Sequence, residues 1–153
     1  MRKKINYAKG DYFAVPLRNG GFGRGVVARM DGKGGIFGYF FGPRLATVDE
    51  ARDPTGLTPD AAVLLRDFGD LGLLNGEWLV LGSVPDWDPN DWPMPPLIRV
   101  DEVTGKAFLS YYDEGTFECI REERVDPALA SRYPRDVAAG YVALEIALTA
   151  LLS

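Results

Sequence analysis

Asp11-Tyr12-Phe13-Ala14-Val15-Pro16-Leu17, Phe22-Gly23-Arg24-Gly25-Val26-Val27-Ala28-Arg29-Met30 and Ile36-Phe37-Gly38-Tyr39-Phe40-Phe41 are three short runs rich in aromatic and branched residues, separated only by turn signals. Arg18-Asn19-Gly20-Gly21 makes the first turn, because Asn-Gly readily takes the positive φ of a tight hairpin. Asp31-Gly32-Lys33-Gly34-Gly35 makes the second. Three antiparallel strands in succession form a meander, with Pro16 suited to an edge or a strand end.

Downstream, Gly42 to Pro59 reads as a loop by its Pro, Gly and Asp content. Residues 61–68 are ambiguous. Thr58-Pro59-Asp60 resembles a helix start, yet Ala62-Val63-Leu64-Leu65 suits a buried strand, and strand is the preferred reading. Gly76-Glu77-Trp78-Leu79-Val80-Leu81-Gly82-Ser83 is a clearer strand, with Trp78 in the core. Residues 84–96 carry five prolines and form an extended, turn-rich surface segment. Leu97 to Val103, Lys106 to Tyr112 and Thr116 to Arg121 add strands, with turns at Thr104-Gly105 and Asp113-Glu114-Gly115. Val137, Tyr141, Leu144, Leu148 and Leu151 recur at three- and four-residue steps, the spacing of one apolar helix face. The expected architecture is α+β and β-rich: a twisted antiparallel sheet or partly open barrel with a C-terminal helix packed on it. One domain spanning 1–153 fits the length.

Composition narrows the chemistry. The chain has no histidine and one cysteine, so Ser-His-Asp and Cys-His catalysis and zinc sites are excluded, and no internal disulfide can form. Cys119 is expected to be a buried structural thiol. No signal peptide opens the sequence, and Val137 to Leu152 is too short and too interrupted to span a membrane, so a cytoplasmic protein without membrane partners is expected. A net charge of −5 disfavours nucleic acid and favours a basic partner.

Candidate sites are few. The glycines from Gly20 to Gly25 match no phosphate-binding spacing and lie between strands, so no nucleotide cofactor is expected. Asp86, Asp88 and Asn90 begin like a calcium loop, but Asp91 stands where glycine is needed and Leu97 where glutamate is needed. Carboxylate-based glycoside hydrolysis lacks any spacing that singles out an acid and a nucleophile. No catalytic residue, metal or cofactor is therefore expected. Asp86-Trp87-Asp88 and Asp91-Trp92 fit a protein interface, since tryptophan anchors hot spots and acidic groups steer basic partners; the competing reading folds both indoles back over the sheet. Phe22 and Arg24 are further interface candidates.

Three segments carry a family resemblance: Gly10-Asp11-Tyr12-Phe13-Ala14-Val15-Pro16-Leu17, Gly23-Arg24-Gly25-Val26-Val27 and Gly76-Glu77-Trp78-Leu79-Val80-Leu81-Gly82. The opening Gly-Asp-hydrophobic strand ending in Val-Pro-Leu and the later Gly-x-Trp strand ending in Gly resemble the bacterial immunity protein 26 family, over roughly residues 10 to 82. The resemblance implies an immunity protein of a polymorphic toxin system, a stoichiometric inhibitor of a cognate toxin. It carries over no catalytic residue and no defined binding motif. An acidic inhibitor suits a basic toxin such as a nuclease. The alternative from another class is a small β-barrel that binds nucleic acid through aromatic strands and Arg24.

Overall fold

The alternating, aromatic-rich runs at the N-terminus pair as strands because each can bury both of its faces. In the computed structural model, which describes residues 4–137 and 139–153, β1 (Asp11–Pro16), β2 (Phe22–Met30) and β3 (Gly35–Leu45) form the expected meander. β4 (Leu64–Gly69) pairs with β3, and β5 (Leu79–Ser83) pairs with β1, giving an antiparallel sheet in the order β4-β3-β2-β1-β5. β6 (Leu97–Val100), β7 (Ala107–Tyr112) and β8 (Cys119–Val125) form a second antiparallel sheet. The sheets are not closed into a barrel, so of the two expected architectures the open sheet is the one adopted.

Side-chain alternation sends Phe13, Val15, Val27, Ile36, Phe40 and Phe68 to one face of the first sheet. There α3 (Tyr141–Leu152) covers them with Leu144 and Leu148, and Trp78 stacks on Phe13 at 5.5 Å between ring centroids. Tyr12, Val26, Phe37, Tyr39 and Phe41 point to the other face, beneath Leu57, Trp92, Leu97 and Phe117. Covering on both sides explains why β1 and β3 read as almost continuous apolar runs.

Pro134, Asp136 and Ala139 tie the two sheets together. Ile98 N–H donates to the Pro134 carbonyl (2.8 Å) and Asp136 N–H to the Ile98 carbonyl (2.9 Å), while Gly69 N–H donates to the Ala139 carbonyl (3.0 Å). The segment thus runs parallel to β6 near one end and to β4 near the other.

Several expectations are refined. Of residues 61–68, strand is adopted from Leu64 and runs on to Gly69, while Ala61 closes a 3-10 turn, Pro59–Ala61, where the Thr58-Pro59 signal lies, and Ala62 to Leu65 are not fully buried. β3 continues through Gly42 to Leu45, and Val48–Ala51 forms a helical turn, α1, capped by Thr47 Oγ1, so the loop is shorter than its composition suggests. Leu71–Leu74 forms a further short helix, α2. Trp78 is buried just ahead of β5. The helix begins only after Gly140, which leaves Val137 in the bridging segment and half exposed; Leu151 also faces outward. Cys119 is exposed, because it opens β8, an edge strand whose residues through Arg124 are all exposed.

Candidate functional site

The proline-rich segment is anchored at both ends. Val84 N–H donates to the Gly10 carbonyl (2.8 Å), continuing the pairing of β5 with β1. Gly10 has φ +87°, and a Cβ there would lie 2.6 Å from Trp87 Cγ, so the indole rests directly on the Gly10 backbone. Trp87 in turn packs against Trp92 at 5.4 Å, and Trp92 sits edge-on to Tyr39 at 5.0 Å. Tyr39 Oη donates to the Pro93 carbonyl (2.5 Å), and burial raises the pKa of this phenol to about 12 against the opposing pull of Arg29.

These contacts decide which candidates face solvent. Asp86, Asp88 and Asp91 are exposed, with Asp88 capping the 3-10 turn Pro89–Asp91 by accepting from Asn90 N–H (2.9 Å). Trp87 is half-buried. Trp92 is 4% exposed and serves as core, as the fold-back reading held for it. Arg24 is 6% exposed; its Nη1 donates to the Asp53 carbonyl (2.5 Å) and pins the loop after α1. Burial lowers its pKa, opposed by Asp53 and Tyr12. The Arg24 guanidinium is therefore turned inward to the backbone. Phe22 is half-buried at the far end of β2, opposite Pro16, five residues from the Val27 carbonyl that accepts from Gly10 N–H. At about 3.3 Å per residue it lies roughly 16 Å from the Trp87 end. The structure thus groups Asp86, Trp87, Asp88 and Asp91, and separates Phe22 and Arg24 from them.

Arg29 was not singled out by its sequence context, yet it organises this surface. Strict alternation would place Arg29 on the α3 side with Val27. A register shift between Val27 and Arg29 in the β2–β3 pairing turns it to the opposite face, opposite Phe37. There it is 2% exposed. Nη1 donates to the Ala28 carbonyl (2.7 Å), and Nη2 donates to the Pro89 carbonyl (3.2 Å) and to Glu114 Oε1 (3.0 Å). One buried guanidinium therefore holds the Asp86–Asp91 loop beside the Asp113–Glu118 turn. Asp113 Oδ1 accepts from Gly115 and Thr116 N–H, and these bonds hold its carboxyl below the usual range. The two loops form one acidic, tryptophan-backed face.

A smaller pocket of about 280 Å³ nearby is lined by Asp31, Asp67, Asp136, Tyr112 and Phe117 among others. Tyr112 Oη donates to Asp136 Oδ2 (2.7 Å), and burial together with that bond pushes the phenol pKa up. Among the described residues, no group of three or more potential ligands is arranged to hold a metal ion. No helix among them is long and apolar enough to cross a membrane.

A family model described as immunity protein 26 matches residues 8–109. The match takes in β1 to β6, the first half of β7 and the whole proline-rich segment, and extends past the stretch on which the resemblance rests. No curated protein and no solved structure gives a significant match.

Proposed function

The chain belongs to the immunity protein 26 family, and on that premise we propose that it binds a cognate toxin domain and neutralises it by stoichiometric protein–protein inhibition, without catalysis of its own. It acts in the cytoplasm of the toxin-producing cell or its kin, as one domain spanning 1–153. The observation that carries the reading is the acidic face built by Asp86, Asp88, Asp91, Asp113 and Glu114 around the buried Arg29. Exposed carboxylates beside a half-buried indole combine electrostatic steering with an apolar anchor. Such a face complements a basic partner, for which a nuclease with a cationic cleft is the natural example.

Co-expression with the C-terminal domain of the protein encoded by the neighbouring upstream gene tests the reading. Growth rescue together with co-purification of the pair is the expected result. Toxicity without rescue, or no association, rejects that pairing. Oligonucleotide binding at moderate salt would instead favour a nucleic-acid module, which the net charge of −5 opposes.

A further inference from the structure

On the β4 side of the molecule, the edge strand and residues 131–135 enclose a groove of about 530 Å³. Arg66, Arg132 and Arg135 line it. Among the described residues, none of these three side chains forms an ion pair or a hydrogen bond, whereas Arg18, Arg29, Arg52, Arg99 and Arg121 each reach a carboxylate. Arg66 Nε is also buried without an acceptor. In a chain with 22 acidic and 17 basic side chains, three unpaired guanidiniums in one groove reverse the local charge.

We propose that this groove is a second contact surface, which takes an extended, acidic segment of the partner protein. The guanidinium fork matches a carboxylate through paired N–H donors, so Asp and Glu side chains supply the acceptors that the groove lacks. Between the arginines lie Val63, which is 46% exposed, and Leu65, Pro95 and Tyr133. Apolar spacing between cations suits a peptide that alternates acidic and apolar side chains. β4 ends its sheet, and beyond the Phe68–Gly69 end, where Ala139 pairs with it, its outer edge along the groove is the usual template for an added extended segment. A nucleic-acid strand would need stacking aromatics along a cationic track, and Tyr133 is the single aromatic lining the groove.

The inference deepens the protein-binding reading above, but its test does not need the toxin. Full-length labelled protein is titrated, with amide shifts followed by NMR, against a short peptide alternating glutamate and valine, its lysine counterpart and a short single-stranded DNA. Shifts from the glutamate peptide at residues 62–66 and 131–135 are expected. Arg132 and Arg135 are exposed, so the double variant R132E/R135E should keep the wild-type melting temperature while weakening that binding at least about tenfold, because like charges then face each other. No shifts at the groove, equal binding of the lysine peptide or DNA, or unchanged affinity in the variant would overturn the proposal. If the neighbouring protein's C-terminal domain fails to associate while the glutamate peptide binds, the groove stands and that toxin pairing falls. If the toxin binds but the peptide does not, the reverse holds.

Discussion

Trp78 Nε1 donates a 2.8 Å hydrogen bond to Glu145 Oε2 in the core beneath α3. Glu145 is 5% exposed, and its other oxygen, Oε1, accepts from Arg18 Nη1 at 3.0 Å. One buried carboxylate therefore joins the β1–β2 turn, the start of β5 and the C-terminal helix, three elements far apart in the chain. An acid within an otherwise apolar helix is tolerated because both of its oxygens have partners.

Removing that carboxylate should destabilise the fold. Glu145→Ala leaves the buried Trp78 N–H without an acceptor and opens a cavity, at a cost of about 2–4 kcal/mol. Glu145→Gln keeps an acceptor for the indole and should cost less. Urea unfolding of both variants measures the difference, and equal losses would show that the lost charge paired with Arg18, rather than the cavity or the indole acceptor, sets the cost.

Gly10→Ala should dislodge the tryptophan resting on it. Gly32→Ala is the control: Gly32 also has positive φ, at +74°, but no atom lies within 4 Å of an added Cβ. The control should lose only the backbone strain, about 1 kcal/mol, while Gly10→Ala loses more and red-shifts tryptophan fluorescence. An unshifted emission spectrum would place Trp87 elsewhere.

Charge on the acidic face should act mainly on association. Asp86 has φ 55°, a conformation asparagine also accepts, so Asp86→Asn with Asp91→Asn removes two charges without disturbing the Asp88 cap. Stopped-flow or surface-binding kinetics with the toxin domain should show a several-fold slower on-rate at low salt, converging on wild type at high salt. A salt-independent effect would point away from steering.

Stability should fall at alkaline pH. The folded-state pKa of Tyr39, at about 12, lies above the ordinary tyrosine value of 10. Between those values the unfolded chain has lost the proton and the folded chain keeps it. The contribution is therefore complete below about pH 10 and is lost as pH rises through about 12. Tyr112 shifts in the same direction. Denaturation midpoints across this range should decline, and Tyr39→Phe should shallow the decline. The same variant should cost about 1 kcal/mol at neutral pH, through the lost bond to the Pro93 carbonyl.

Pro134 to Asp136 pair with β6 and Ala139 with β4, so strands of both sheets are tied and unfolding of the full chain should be a single transition. Far-UV and near-UV circular dichroism should give coincident midpoints. Two separated transitions would divide the chain into independently stable parts.

Local pattern alone was enough for the meander, because turn chemistry and two-residue alternation act over a few neighbouring residues. It also sufficed for the terminal helix, for strand rather than helix within residues 61–68, and for Trp78 as core. The family was legible in the Gly-Asp strand and the Gly-x-Trp segment. Asp86, Asp88 and Asp91 lie at the surface because a proline-rich segment cannot enter a ladder.

Tertiary structure decided the rest. Arg24 and Trp92 are surface candidates on composition, but they are buried because the loop after α1 and the 84–96 segment close over the second face of the sheet. Arg29 and Glu145 look like incidental charges until a register shift and a helix docking bring them to partners 85 and 67 positions away. Cys119 is exposed because neither face of its strand is covered, and what covers a strand is set by long-range packing that no local window of residues encodes. Periodicity reports which side chains share a face; what covers that face depends on contacts whose chain separation far exceeds any local pattern.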